Sequence, residues 1–276
     1  MGSDIRVLTQ SPVGRVAYWP LQKLIRFVRR LRYPELPMDH ALISVSYRGR
    51  QFRIEVRRWN SSDHSAVRQC FSYAQYDMPQ YDQGKALDRL YREIVDAGKR
   101  PLIVDCGANV GASVLWFTAR YPEAHIIAVE PASDNFSLLE KNTRGLDVEL
   151  YRAGVGPEDG TAWLSNPNGD AGMDYRTNSV GEGVKVKIVS LAMLLMGKLS
   201  GDLVPFLLKV DIEGAEKDLF TGDTSLINRF PLIILEPHDW LLPGQATSLP
   251  FLRFHVEAKR ELALKLENIA SVRYTL

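Results

Sequence analysis

The sequence predicts an α/β chain organised around a mostly parallel sheet, and three observations carry that prediction. From residue 101 onward, short and almost wholly apolar runs alternate with stretches of helical spacing, the pattern of strands covered on both faces by crossover helices. The first run, Leu102-Ile103-Val104, leads straight into a glycine-bearing turn that ends at Gly111. The last two extended segments, residues 261–266 and 269–274, join at Glu267-Asn268 and read as a C-terminal antiparallel hairpin.

The elements follow in order. In residues 20–34, Leu21, Leu24, Ile25, Val28 and Leu31 recur at helical spacing while Lys23, Arg26, Arg29, Arg30 and Arg32 fill the other face, a basic amphipathic helix. The preferred reading is a helix docked with its basic face in water. Peripheral contact with an anionic membrane surface is the second reading, because the stretch is short and carries no lipidation signal. Residues 41–56 alternate apolar and polar around Arg48-Gly49-Arg50 and predict a β-hairpin. A helix is expected over 63–73, with Ser61, Ser62 and Asp63 as candidate caps. Residues 1–98 therefore form an N-terminal extension of basic helix, hairpin and helix, and 99–276 form the main domain.

Within that domain the strand at 102–104 is followed by a helix over 112–120, a strand over 126–129 and a helix over 135–143. Residues 148–151 give a third strand. The runs 161–164 and 184–189 are extended, and the Gly-, Asn-, Asp- and Ser-rich stretch 166–183 between them reads as a loop and a lid candidate. Residues 206–210 and 232–235 are the fourth and fifth parallel strands, and a helix over 249–259 precedes the hairpin.

Composition sets limits on function. The 276 residues are 45% hydrophobic and 24% charged, enough to bury a full core. Thirty-four basic against thirty-three acidic residues leave a formal charge of +1, so no global field steers the chain onto nucleic acid, and none is expected as a partner. Cys70 and Cys106 form neither a CxxC pair nor a zinc spacing. With no membrane-length apolar run and no signal-peptide core, the expected compartment is the cytoplasm.

Four constellations bear chemistry. In Asp105-Cys106-Gly107-Ala108-Asn109-Val110-Gly111, Gly107 admits a ligand close to the backbone and Gly111 permits close packing where the helix starts. No third glycine stands near Ser113 or Val114, so the dinucleotide fingerprint is missing. The carboxylate of Asp105 would repel a phosphate but suits the ammonium of an amino acid, which favours S-adenosylmethionine over NAD. Glu130-Pro131 ends the second strand, where an acid can accept both hydroxyls of a ribose. In Lys209-Val210-Asp211-Ile212-Glu213-Gly214-Ala215-Glu216, Asp211 is placed as general base or metal ligand, and Glu213 and Glu216 open the next helix. Glu236-Pro237-His238-Asp239 follows the fifth strand. There His238 is the expected base for a hydroxyl, with a near-neutral titration, and Asp211 positions the acceptor. A divalent metal on Asp211, Glu236 and Asp239 is a second reading, not preferred because these acids lack a recognisable ligand spacing.

Together these motifs resemble the FkbM family of methyltransferases, over about residues 57–273, through D-x-G-A-N-x-G, V-E-P, K-x-D-x-E-G-x-E and a late histidine-bearing loop. Ser62-Asp63 with Tyr76, and Glu267-Asn268-Ile269, also fit that family's pattern. The resemblance implies a Rossmann-like class I methyltransferase sheet. It further implies S-adenosylmethionine held by Asp105, Gly107, Ala108, Asn109, Gly111, Glu130 and Pro131 with Ser62 and Asp63, and an acceptor facing Asp211, Glu213, Glu236 and His238. The implied reaction is O-methylation of a sugar, polysaccharide component or natural product. A basic N-terminus before Ala41 departs from the pattern. The alternatives are a non-catalytic scaffold that keeps the cofactor fold, disfavoured by intact Asp105, Glu130 and Asp211, and an NAD-dependent oxidoreductase, disfavoured by the missing glycine.

Overall fold

The computed structural model describes residues 39–165, 176–178, 181 and 183–274. The basic helix expected over 20–34 and most of the lid candidate over 166–183 lie outside the described residues. The chain divides into two compact units, residues 1–42 with Arg57–Trp59, and Ile43–Val56 with Asn60–Leu276. In the first, the Arg58 amide donates to the Asp39 carbonyl. The boundary expected at 98/99 falls inside the second unit, which carries both larger sheets and the site.

Strands β1 (His40–Tyr47) and β2 (Arg50–Arg57) form the expected hairpin. Its two-residue turn has positive φ at Arg48 (47°) and Gly49 (80°), the backbone twist that suits paired strands. Helix α1 runs over Ser61–Phe71. Its cap is Asn60, one residue ahead of the expected candidates, because the Asn60 side-chain oxygen accepts from the amides of Ser62 (2.8 Å) and Asp63 (3.3 Å). A second helix, α2 (Asp82–Asp96), was not foreseen; it buries Ala86, Leu87, Leu90 and Ile94 along one side and packs beside the first sheet strand.

Then come β3 (Arg100–Cys106), α3 (Ala112–Arg120), β4 (His125–Val129), α4 (Ser133–Asn142) and β5 (Val148–Tyr151). Strands β6 (Gly154–Gly156), β7 (Gly160–Ser165), β8 (Arg176–Asn178) and β9 (Val184–Ser190) make a small separate sheet in the order β6-β9-β7-β8. The two extended runs expected there pair antiparallel as β7 and β9. Helix α5 (Leu191–Leu195), β10 (Leu203–Val210), α6 (Glu216–Leu219), β11 (Leu232–Leu235), α7 (Leu249–Glu257), β12 (Glu261–Lys265) and β13 (Asn268–Val272) complete the chain.

The main sheet has seven strands in the order β12-β13-β11-β10-β3-β4-β5. The five strands from β11 to β5 are parallel, whereas β13 runs against both of its neighbours. The closing turn sits at Leu266-Glu267, one residue earlier than expected, because Leu266 takes φ 53° and Asn268 already pairs with Lys265. One face of the sheet buries Leu102, Val104, Val129, Leu208, Val210 and Leu235 against Leu194, Phe220 and Phe251. Each such side chain contributes about 1.5–3 kcal/mol on burial. Alternation sends Asp105 and Lys209 to the opposite face, and the β3–β10 register sets them side by side. Both cysteines are buried and unpaired.

Candidate active site

The carboxyl ends of β3, β4, β10 and β11 converge where an open α/β sheet places its ligands. After β3 the chain turns at Gly107 (φ 87°), where a Cβ would stand 1.8 Å from the Asp211 carbonyl oxygen, so only glycine lets the two strand ends meet. The amides of Gly107 and Ala108 both donate to the Val129 carbonyl. Asn109 sits at φ 49° and donates its amide to Glu130 Oε2 (2.9 Å). Gly111 (φ 90°) begins α3, where a Cβ would press on Leu139 of α4 at 3.0 Å, the close helix packing its position suggests.

Glu130 is buried, and its Oε1 accepts from the Ala132 amide (2.9 Å) and Asn135 Nδ2 (3.3 Å). Burial pushes its carboxyl up to about 7 against the pull of the Ala132 and Asn109 amides. Two cavities open beside it. The smaller is lined by Gly107, Asn109, Glu130, Pro131, Asn135 and Val155 together with Asp211 and Glu213. The larger is lined by Ser62, Gln75, Tyr76, Ala108, Lys209, Glu236, Trp240 and Glu267, and again by Gly107, Asn109, Asp211 and Glu213. Tyr76 is seated there by a stack on Phe117 and an edge contact with Trp116.

Not every expected residue reaches a cavity. Asp105, expected beside a ligand, is fully buried beneath the turn and lines neither space. Its carboxylate accepts from Ser113 Oγ (2.6 Å) and pairs with Lys209 Nζ (3.1 Å), so its partners are within the protein. Asp63 is likewise fully buried, and of the Ser62-Asp63 pair only Ser62 lines a cavity, the larger one. Asp239 accepts from the Ser248 amide, away from Asp211 and Glu236, so the three do not form the metal set considered from the sequence.

Lys209 is the residue that sequence reasoning passed over. Its ammonium is 2% exposed, donates to the Gly107 carbonyl (2.8 Å) and bridges Asp105 to Asp211 Oδ2 (3.2 Å). Burial opposes the charge, but the adjacent Asp105 and Asp211 hold its pKa well above the ordinary lysine value. The signal was a lysine in an otherwise apolar strand, a placement that demands a partner.

His238 is 1% exposed and is not a loose loop residue. Its Nδ1 meets Glu216 Oε1 at 2.8 Å, and the same oxygen accepts from the Ile212 amide. Its Nε2 faces Glu213 (3.5 Å), Asp211 (3.7 Å) and Glu236 (3.9 Å). Burial disfavours the charged ring, but the Glu216 hydrogen bond and the nearby Asp211 and Glu213 carboxylates carry it up to about 10. The ring thus holds its proton at neutral pH, whereas the sequence reading expects a base titrating near 6 to 7. Glu216, at the start of α6, serves as this histidine's partner in addition to its place at a helix terminus. Glu213 precedes that helix in a left-handed turn (φ 54°), followed by Gly214. One ligating atom each from Asp211, Glu213 and His238 lies within 4.8 Å of the others.

A parallel sheet closed by one reversed strand, a glycine turn after β3 and a buried acid after β4 define the class I methyltransferase fold. The chain belongs to the methyltransferase FkbM domain family, whose match covers residues 105–261. It is 31% identical over 143 residues to Methyltransferase 1 of Beauveria bassiana, covering 44% of this chain and 57% of that protein. It is 23% identical over 162 residues to the hexuronic acid methyltransferase AglP of Haloferax volcanii, covering 56% of this chain and 63% of that one. The crystal structure of a methyltransferase FkbM from Methylobacillus flagellatus aligns with 63% of this chain and 43% of its own, at 15% identity and a TM-score of 0.42. The chain thus spans 57–63% of the length of the curated relatives it matches. Among the described residues no helix is long and apolar enough to cross a membrane.

Proposed function

We propose that the chain transfers the methyl group of S-adenosylmethionine to a hydroxyl of a sugar, polysaccharide component or natural product. The observation that carries this reading is the shared wall: Asp211 and Glu213 line both cavities, so a cofactor in one and an acceptor in the other would meet at these two side chains. The smaller cavity fits the cofactor, since it offers a Cβ-free approach at Gly107 and a buried carboxylate, Glu130, for a ribose diol. Gly107, Asn109, Glu130, Pro131 and Asn135 would hold it there. When bound, it supplies a methyl group on a sulfonium that is already activated toward a nucleophile.

The chain's own groups then have two tasks, alignment and proton removal. Lys209 fixes Asp211 and the Gly107 carbonyl relative to each other, so the floor of the site keeps its shape. Asp211 orients the acceptor hydroxyl. Glu236 lines the larger cavity alone; burial and the neighbouring Asp211 raise its carboxyl to about 8, and in its ionised form it takes the proton as the oxygen–carbon bond forms and the carbon–sulfur bond breaks toward sulfur. The exposed Trp240 at the rim gives a flat apolar face on which a sugar ring stacks. The hexuronic acid relative supports a carbohydrate acceptor. Its anionic substrate contrasts with the acid-lined cavity here, which favours a neutral one.

The deciding experiment compares ligands by their effect on the melting temperature of the full chain. S-Adenosylhomocysteine is expected to raise Tm and NADH to leave it unchanged, because a ligand that binds only the folded state stabilises it. A shift with NADH and none with S-adenosylhomocysteine would overturn the proposal.

A further inference from the structure

We propose that Asp211, Glu213 and His238 bind one divalent cation of the manganese or zinc type where the two cavities meet. The binding itself stands on geometry alone, and only its use in catalysis rests on the methyl-transfer reading.

The histidine provides the first argument. Glu216 Oε1 can only accept, so the 2.8 Å contact makes His238 Nδ1 the donor, and a cation arriving among the carboxylates at Nε2 displaces the proton the ring otherwise holds there and takes its lone pair. Glu216 is itself anchored by the Ile212 amide and is fully buried, so the ring cannot swing away. A carboxylate on the far nitrogen of a buried imidazole is the arrangement that orients metal-binding histidines.

Distances provide the second. Among the described residues no carboxylate comes closer to Nε2 than 3.5 Å, and the others stand at 3.7 and 3.9 Å. Direct N–H···O hydrogen bonds close to about 2.7–3.2 Å, so these groups surround the nitrogen without gripping it. Metal–ligand bonds of about 2.0–2.2 Å at tetrahedral or octahedral angles would separate neighbouring ligand atoms by about 3.0–3.6 Å. The Glu213 and Asp211 contacts, at 3.5 and 3.7 Å, stand near the upper end of that separation, and with all three ligand atoms within 4.8 Å of one another a cation seats between them after a small inward shift of the carboxylates. One imidazole with carboxylates is a borderline-to-hard donor set, which points to manganese or zinc and away from thiolate-seeking ions.

Position provides the third. The ligands come from the ends of two paired parallel strands, β10 and β11, and Asp211 and Glu213 are among the residues that line both cavities. A cation there would touch an acceptor hydroxyl and ease the loss of its proton to Glu236.

The test uses the full chain stripped with chelator and titrated calorimetrically with MnCl2 and with ZnCl2, alongside the electron paramagnetic resonance signal of free Mn2+. One site per chain is expected. Glu213→Gln and His238→Ala should each weaken binding at least tenfold, Glu216→Gln about 10- to 100-fold through the ring it orients, and Asp239→Asn not at all. Because His238 is buried, the half-buried Glu213 carries the test if His238→Ala fails to fold. Absence of saturable binding by a protein with an unchanged melting temperature, or equal affinity in Glu213→Gln, would overturn the site. Stoichiometric metal binding without any response to S-adenosylhomocysteine would keep the site and remove the cofactor reading.

Discussion

Asp105 and Lys209 are register partners on adjacent parallel strands, and their carboxylate and ammonium meet 3.1 Å apart with almost no exposure to solvent. Neither charge is supported by water, so each depends on the other and on Ser113, Asp211 and the Gly107 carbonyl. Removing one member leaves a buried charge uncompensated, at a cost of about 3–5 kcal/mol. Lys209→Met is expected to lower the unfolding free energy by that order, and Asp105→Asn added to Lys209→Met should cost less than the two single changes summed. A double-mutant cycle on urea denaturation checks this; additive losses would show that the pair does not act as a unit.

Glu130 sets a pH dependence. Its folded-state value of about 7 lies above the ordinary 4.5, so the native chain holds a proton that the unfolded chain releases. Stability without ligand should therefore fall as pH rises from about 4.5 to about 7 and level off beyond, by up to about 3 kcal/mol. Glu130→Gln should abolish this slope. If Glu130 takes a ribose, S-adenosylhomocysteine affinity should also tighten as pH rises toward 7, because the ionised carboxylate is the better acceptor. Urea melts and calorimetric titrations at pH 5.5, 6.5 and 8 provide the measurement, and a flat profile in the parent chain would count against it.

Gly107→Ala should be severe and Gly145→Ala mild. Both residues have positive φ, but a Cβ at Gly107 would collide with the Asp211 carbonyl while one at Gly145 meets open space. Left-handed backbone at a non-glycine residue costs about 1 kcal/mol or more by itself. The collision should add to this and displace the end of β10, so a loss well beyond that of Gly145→Ala is expected in thermal melts.

Trp240→Ala should leave stability within about 0.5 kcal/mol, since the ring is 73% exposed. It should raise KM for a sugar acceptor without weakening S-adenosylhomocysteine binding, because the residue lines only the larger cavity. Steady-state kinetics with a glycoside library would detect this, and an unchanged KM would remove the stacking platform.

The parallel core was legible because its signals are local. Leu102-Ile103-Val104 and Leu232–Leu235 are unbroken apolar runs, and the Gly107 turn and Glu130 mark where two of the strands stop. Helix α2 was missed although Ala86, Leu87, Leu90 and Ile94 recur at helical spacing, because Gly84 near its start reads as a breaker; there a Cβ would strike the Met78 carbonyl. The site was less legible, since its links depend on strand register. Asp105 and Lys209 are 104 residues apart, and only the β3–β10 pairing reveals that the acid belongs to the lysine. The same holds for Glu216 and His238, whose contact joins the segments after two different strands and turns an expected base into a held cation.

The wall between the two cavities has a consequence for how acceptor choice can change. Asp211 and Glu213 face both spaces, so altering either one disturbs both ligands together, and these positions are poor places to vary acceptor preference. Ser62, Gln75, Tyr76, Trp240 and Glu267 face the larger space alone and come from both the segment before the sheet and the segments after β11. Redesign of the chain for a new acceptor should begin with libraries at those outer positions, holding the shared wall constant.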